Sequence, residues 1–255
     1  FIRKFLVSYM KLIFCALAVL MLVAGCGKRK APNVILISID TLCADHLGSY
    51  GYPRDTSPAL DQLAADGLLF EDVSAPSPWT LPSHASMLTG LYPNRHGLKS
   101  HDQKLPAHVR TIAMILKEHG FDTAAIVNSH NLTKKYGFDR GFNYYKYVEE
   151  KIDWSPPSGV EEEAIKWLSK PKESSFFLFL HYYDVHSDYT SLSQYEDMFV
   201  RPYSGIADGT TEQLINFRKG LVKLNMADAE HLVDLYDAGI RQMDDGIKRL
   251  LQFLN

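Results

Sequence analysis

Cysteine is scarce, with three in 255 residues. Cys15 and Cys26 fall within or at the end of an amino-terminal apolar stretch. That leaves Cys43 without a partner and excludes a disulfide-stapled fold. Cationic side chains are sparse beyond residue 30. The first thirty residues hold six Lys or Arg and no acid, so residues 31–255 carry 21 basic against 30 acidic side chains, a formal charge of −9. An acidic body argues against nucleic acid as a partner, because non-specific binding runs on Lys and Arg neutralising phosphates. There is no internal repeat and no low-complexity tract. With 46% hydrophobic and 22% charged residues, the composition is neither disordered nor fibrous. No apolar run is long enough to cross a bilayer either: Leu12 to Ala24 is thirteen residues, against the roughly 20 that a span needs.

That run fits a secretory leader instead. Behind Met10-Lys11, a better start than Phe1, it reads as the apolar core of a signal peptide. Val23-Ala24-Gly25-Cys26 is similar to a bacterial lipoprotein cleavage site, which makes Cys26 the lipidated first residue of the mature chain; an ordinary signal peptide with an incidental Cys is the alternative. Gly27 after it favours the outer membrane, and the acyl chains of a lipoprotein suffice for stable anchoring. The expected organisation is a leader over 1–26, a basic linker over 27–32 and one domain over 33–255. The expected place is the bacterial envelope, lipid-anchored or periplasmic.

From Asn33 onward strands alternate with helices. Asn33 to Ile39 reads as a buried parallel strand ending at Asp40. Ser57-Pro58 opens a helix over Ala59 to Ala65, stopped by Gly67. Pro82-Ser83 opens another through Leu88, ended by Gly90. A third is expected from Pro106 to His119, with Ile112, Ile115 and Leu116 on its buried face and Gly120 closing it. Asp122 to Val127 and Ser175 to His181 read as core strands, with a helix from Gly159 to Ser169 between them. A long amphipathic helix runs from Ala227 to Phe253, striped by Leu232, Leu235, Ile240, Met243, Ile247, Leu250 and Leu251. This alternation predicts an α/β fold, a parallel sheet covered by helices on both faces. In such sheets the ligand crevice lies outside the carboxyl ends of the strands. Asp40 and the stretch from His181 to His186 fall there, and the helix start at Thr80 can complete the site.

Two stretches, NVILISIDTLCADHLGSYGY (33–52) and PWTLPSHASMLTGLYPNRHG (78–97), with the weaker YGFDRGF (136–142) and FFLFLHYYDVHSDY (176–189), occur in one order. On these, the chain resembles the amino-terminal part of the sulfatase branch of the alkaline-phosphatase-like hydrolases. The likeness spans most of residues 33 to about 190. It implies an alkaline-phosphatase-like parallel sheet sandwiched between helices, and it implies a divalent metal, with calcium first and magnesium, manganese or zinc as alternatives.

The resemblance assigns roles residue by residue. Asp40 matches the first metal ligand, where a carboxylate ending an apolar strand suits a hard cation; the alternative is an Asp capping the next turn. The neighbour is Thr41 where many sulfatases have a second Asp, so one charged ligand is missing. Cys43 stands where relatives often carry a basic residue, and a buried inert thiol is expected. Asp45 and His46 are polar neighbours in the same turn. Thr80-Leu81-Pro82-Ser83-His84 occupies the nucleophile motif, with Thr80 in place of the Cys or Ser oxidised to formylglycine and His84 in place of the Arg. No formylglycine is expected at Thr80. Its hydroxyl can still be activated by a metal, and the helix amino terminus can stabilise an anion; a plain helix cap is the alternative. His186 matches the substrate-contacting His and could protonate a leaving oxygen, or be a surface loop residue. His130 and Asn128 align loosely with a family His and Lys. His130 is assigned to catalysis, and His84, Asn128 and His181 to the substrate. Asp40, Thr41 and Thr80 are assigned to the metal.

Three functions compete: hydrolysis of sulfate esters, phosphodiester hydrolysis or phospholipid-headgroup transfer through Thr80, and a non-catalytic envelope lipoprotein. The expected partners are an anionic ester, either a sulfated glycan or a phospho-ester, and the membrane. The family's later Asp-His-Gly ligand turn occurs nowhere in the sequence. The chain is therefore expected to be the amino-terminal portion of the catalytic domain, incomplete at its carboxyl end and inactive alone.

Overall fold

The structure, a computed structural model, describes residues 31–149 and 159–255. The stretch expected as a leader, with Cys26, and all of the expected linker but residues 31–32 lie outside the described residues. Asn33–Asn255 forms one compact unit. Its sheet has four parallel strands: β1 (Val34–Ile39), β2 (Asp122–Val127), β3 (Tyr144–Tyr147) and β4 (Phe176–Tyr182). The order is β1-β4-β2-β3. Every residue of β4 is buried, as its near-continuous apolar run requires of a central strand.

Alternate residues of each strand serve two cores. Leu36, Ala125, Val127, Phe177 and Phe179 face α2 (Thr80–Thr89) and α4 (Ile112–Glu118). Ile35, Ile37, Ala124, Ile126, Leu178 and Leu180 face α5 (Val160–Leu168) and the long helix, here α8 (Met226–Leu254). Helices on both faces thus follow from the sequence alternation. The remaining helices are α1 (Pro58–Asp66), the short α3 (Pro93–His96), α6 (Ser193–Phe199) and α7 (Thr211–Arg218).

Three expectations need correction. The first strand is parallel but lies at an edge of the sheet, so only Ser38 in it is buried. The third helix begins at Ile112, six residues late. Thr111 caps it by accepting the Met114 N–H, and the Arg140 guanidinium takes the carbonyls of Pro106 and Val109 before any helix can use them. Ala113 is its buried residue, whereas Ile112 and Ile115 are exposed. The nucleophile-motif helix starts at Thr80, two residues early, and ends on left-handed Gly90.

The YGFDRGF stretch has a packing role. Gly141 (φ +92°) lies against the start of α4, where a Cβ would come within 2.3 Å of the Met114 backbone nitrogen. Only glycine fits there.

Candidate active site

The carboxyl ends of β1 and β4 and the amino end of α2 meet. Ser38 pairs with His181 across the two strands, and the Asp40 N–H donates to the Tyr182 carbonyl at 2.9 Å. Alternation puts Ser38 and His181 on the α2 side of the sheet. Thr80, the first residue of α2, donates its hydroxyl to Asp40 Oδ2 at 2.8 Å. The capping position belongs to Trp79, so Thr80 is not a plain helix cap. Burial pushes the Asp40 carboxyl up, but His181 and the Thr80 hydroxyl outweigh that and hold it below the ordinary value.

His84, one turn into α2, lies behind this pair and is 4% exposed. Its Nδ1 is 2.8 Å from the Thr80 carbonyl, which can only accept, so Nδ1 carries the proton. Nε2 then accepts from the Ser38 hydroxyl, also at 2.8 Å. Burial, with the neighbouring His181, pulls the His84 pKa down to about 4. The imidazole is neutral and both nitrogens are engaged within the fold, so His84 braces Thr80.

His181 is fully buried, its Nε2 3.5 Å from Asp40 Oδ2 and its ring edge-on to His84. Beyond it, Tyr183 and His186 stack with ring centroids 4.1 Å apart. His186 Nδ1 is 2.9 Å from Ser187 Oγ. Burial lowers the His186 pKa; Asp40 opposes this and the positive charge of Arg218 on α7 adds to it. Thr211, at the start of α7, ties down the loop by donating its hydroxyl to Asp188 at 2.7 Å.

Other expected site residues stand apart. Thr41 is exposed with φ +58°, and its hydroxyl donates to the Val185 carbonyl at 3.0 Å rather than facing Thr80. A β-branched residue in that conformation is strained, and strain of this kind clusters at functional turns. Asn128 is buried and its amide donates to the Val148 carbonyl. His130 is exposed and edge-on to Tyr136, and no described hydrogen bond or ion pair joins it to the Asp40–Thr80 pair. Cys43 is exposed rather than buried. Ser38 and Thr211 went unnoticed in the sequence because each meets its partner only through the fold.

The loop after Asp40 is fastened to α8. The Tyr236 hydroxyl donates to the Thr41 carbonyl at 2.8 Å, and buried Asp237 receives His46 Nδ1 at 2.7 Å, Tyr52 at 2.6 Å and Arg54 at 2.7 Å. Among the described residues, no three His, Cys, Asp or Glu side chains converge as a metal centre.

The family model for Sulfatase matches residues 32–255. The chain belongs to the sulfatase family. Among its relatives, arylsulfatase A of Bos taurus is 43% identical over 110 residues, covering 41% of this chain and 22% of the relative. The Δ4,5-hexuronate-2-O-sulfatase of Bacteroides thetaiotaomicron is 24% identical over 178 residues, covering 64% and 36%. The chain thus spans only about a fifth to a third of these relatives' length. In fold it is similar to the phosphonate monoester hydrolase of Agrobacterium radiobacter, with a TM-score of 0.70, 19% identity and coverage of 88% of this chain and 59% of that one. It is likewise similar to the zinc complex of the carboxy-terminal periplasmic domain of EcEptC from Escherichia coli, with a TM-score of 0.63, 18% identity and coverage of 89% and 60%. The alkaline-phosphatase-like α/β fold expected from the motifs is the fold of this chain.

Proposed function

We propose that the protein is a metal-dependent hydrolase of sulfate esters that uses Thr80 as an unmodified nucleophile. The 2.8 Å contact from Thr80 Oγ1 to Asp40 Oδ2, at the carboxyl end of the sheet, carries this reading. Thr80 Oγ attacks sulfur, the sulfur–ester oxygen bond breaks, and the alcohol leaves with a proton. Asp40 Oδ2 takes the hydroxyl proton as Oγ1 bonds to sulfur, and His186 in its protonated form gives a proton to the leaving oxygen. Water then hydrolyses the threonine sulfate ester. His84 fixes the carbonyl of Thr80 and through it the start of α2, whose amino-terminal N–H groups face developing negative charge.

Asp40 and Thr80 offer two oxygen donors, and His181 has buried ring nitrogens without hydrogen bonds beside them. This donor set fits a divalent cation. Such a cation, when bound, supplies Lewis acidity that lowers the pKa of a coordinated hydroxyl. Calcium, expected from the resemblance, takes six to eight oxygens, more than these residues bring.

The second reading, phosphoryl transfer to or from Thr80, is favoured by the threonine itself, since a hydroxyl suits a phosphothreonine route and gives no aldehyde hydrate to expel sulfate. Its support includes a structural neighbour named for phosphonate monoester hydrolysis. Assay of the full-length protein on an aryl sulfate and a matched aryl phosphate diester decides between them. Turnover of the sulfate is expected, preference for the diester establishes the second reading, and turnover of neither removes both. Thr80→Ala is expected to lose on the order of 10³-fold in rate, and mass spectrometry of the Thr80 peptide is expected to show plain threonine.

For location, we infer a lipid-anchored envelope protein, with leader 1–26, linker 27–32 and the sulfatase domain over 33–255. The apolar run before Cys26 and the compact unit starting at Asn33 support this. Loss of acyl labelling in Cys26→Ala is the expected result, and unchanged membrane fractionation would reverse it.

A further inference from the structure

His181 occupies a position that the local pattern reserves for an apolar side chain. It continues the α2-side face of β4 after Phe177 and Phe179, and it is fully buried there. Apart from the long 3.5 Å approach of Nε2 to Asp40 Oδ2, neither ring nitrogen meets a hydrogen-bond partner among the described residues. Leaving a buried polar group unsatisfied costs about 1–3 kcal/mol, so an imidazole at this point implies a ligand. The ionised oxygen beside it is Asp40 Oδ2, 3.5 Å from Nε2. That same oxygen receives the Thr80 hydroxyl. Two donors each about 2.1 Å from a tetrahedral ion stand about 3.4 Å apart, close to the separation of His181 Nε2 and Asp40 Oδ2.

We propose that His181 is a nitrogen ligand of the cation held by Asp40 and Thr80, and that the site therefore takes an imidazole-accepting metal of the zinc class rather than calcium. This rests on the metal reading above and goes further by naming a ligand and a metal class. The selectivity follows from ligand chemistry: imidazole suits zinc and its transition-metal neighbours, whereas calcium takes oxygen alone. Thr80 supplies a hydroxyl and Asp40 a carboxylate, so the three make an O, O, N donor set.

The test is direct binding, needing no turnover. Metal-free full-length protein is titrated with Zn²⁺ and with Ca²⁺ by equilibrium dialysis, and the Co²⁺ form is read by its visible d–d absorption. One Zn²⁺ per chain, bound at least 100-fold tighter than Ca²⁺, is expected. His181→Asn is expected to weaken Zn²⁺ by more than the 10–100-fold typical of a residue that only orients a ligand, and to shift the Co²⁺ bands. Asp40→Ala is expected to abolish binding. If His181→Asn retains affinity and an unchanged Co²⁺ spectrum, His181 is not a ligand although the metal reading stands. If the wild type binds neither ion, or Asp40→Ala still binds zinc, both fail. Should His181→Asn not fold, the wild-type preference decides by itself, and calcium bound tighter than zinc overturns the proposal.

Discussion

Two loops leave the carboxyl ends of the neighbouring strands β1 and β4, yet they are fixed by different physics. The loop after β1 is fastened to α8 by charge. Arg54 bridges Asp234 at 2.8 Å and Asp237 at 2.7 Å, and Asp237 is wholly buried. The loop after β4 is held by uncharged donors, the Thr211 hydroxyl and its backbone N–H, on the Asp188 carboxylate. Buried charge pairs are costly to break, because the survivor is left unpaired. Single hydrogen bonds near the surface are each worth about 1 kcal/mol. The loop that carries Asp40 is thereby built as a fixed support, and the loop that carries His186 as an adjustable one.

The sharpest way to break this contrast is at Asp237. Asp237→Ala strips one acceptor from His46, Tyr52 and Arg54 together, and is expected to destabilise the fold by about 3–5 kcal/mol. Urea unfolding measures this, and a loss under 1 kcal/mol would mean that the network does not hold the loop. That is a large share of a domain's 5–15 kcal/mol.

A substitution on the other loop is expected to act on chemistry instead. His186→Ala is expected to reduce kcat on the order of 10²-fold, with urea stability changed by less than about 1 kcal/mol. Equal damage to stability would erase the distinction between the two loops.

How much of this was legible beforehand depends on the range of the interactions. Strand β2 was readable at its true bounds, Asp122–Val127, because a short β-branched run behind a glycine leaves few alternatives. Strand β3 was not, since Tyr144–Tyr147 gains its strand character only by pairing with Ala124–Val127. The helix expected at Pro106 failed because Arg140, thirty-four residues on, takes the Pro106 carbonyl. In the site, the motif order pointed to Asp40 and Thr80, and the fold places them in contact. The engagement of His84 with Ser38, forty-six residues away, has no local signature. His130 looked alike in sequence terms and stands elsewhere.

The brace behind Thr80 can be separated from both loops by pH. His84 has a pKa near 4 in the folded chain, against about 6.5 unfolded. Between these values the unfolded chain binds more protons, so the contribution is complete above pH 6.5 and is lost as pH falls towards 4. Wild type is expected to lose stability relative to His84→Gln across that window, on the order of 3 kcal/mol in total. Urea midpoints at several pH values give the difference, and parallel curves for the two proteins would mean that His84 is not held neutral.

The smallest expected effect tests the adjustable loop directly. Thr211→Val keeps the shape of the side chain and the backbone N–H to Asp188 Oδ1 at 2.8 Å, removing only the hydroxyl. Asp188 is a non-glycine residue at φ +72°, a conformation that asparagine and aspartate tolerate best but that still needs outside support. With one of its two contacts from Thr211 gone, stability is expected to fall by about 1 kcal/mol. His186, two residues earlier and joined to the same cluster through Ser187, should then sample more positions over the crevice. The expected signature is a severalfold rise in KM with kcat nearly constant, because a looser loop weakens substrate capture while the Thr80–Asp40 contact is untouched. A fall in kcat matching that of His186→Ala would instead make the loop as rigid a part of the machinery as the one after β1.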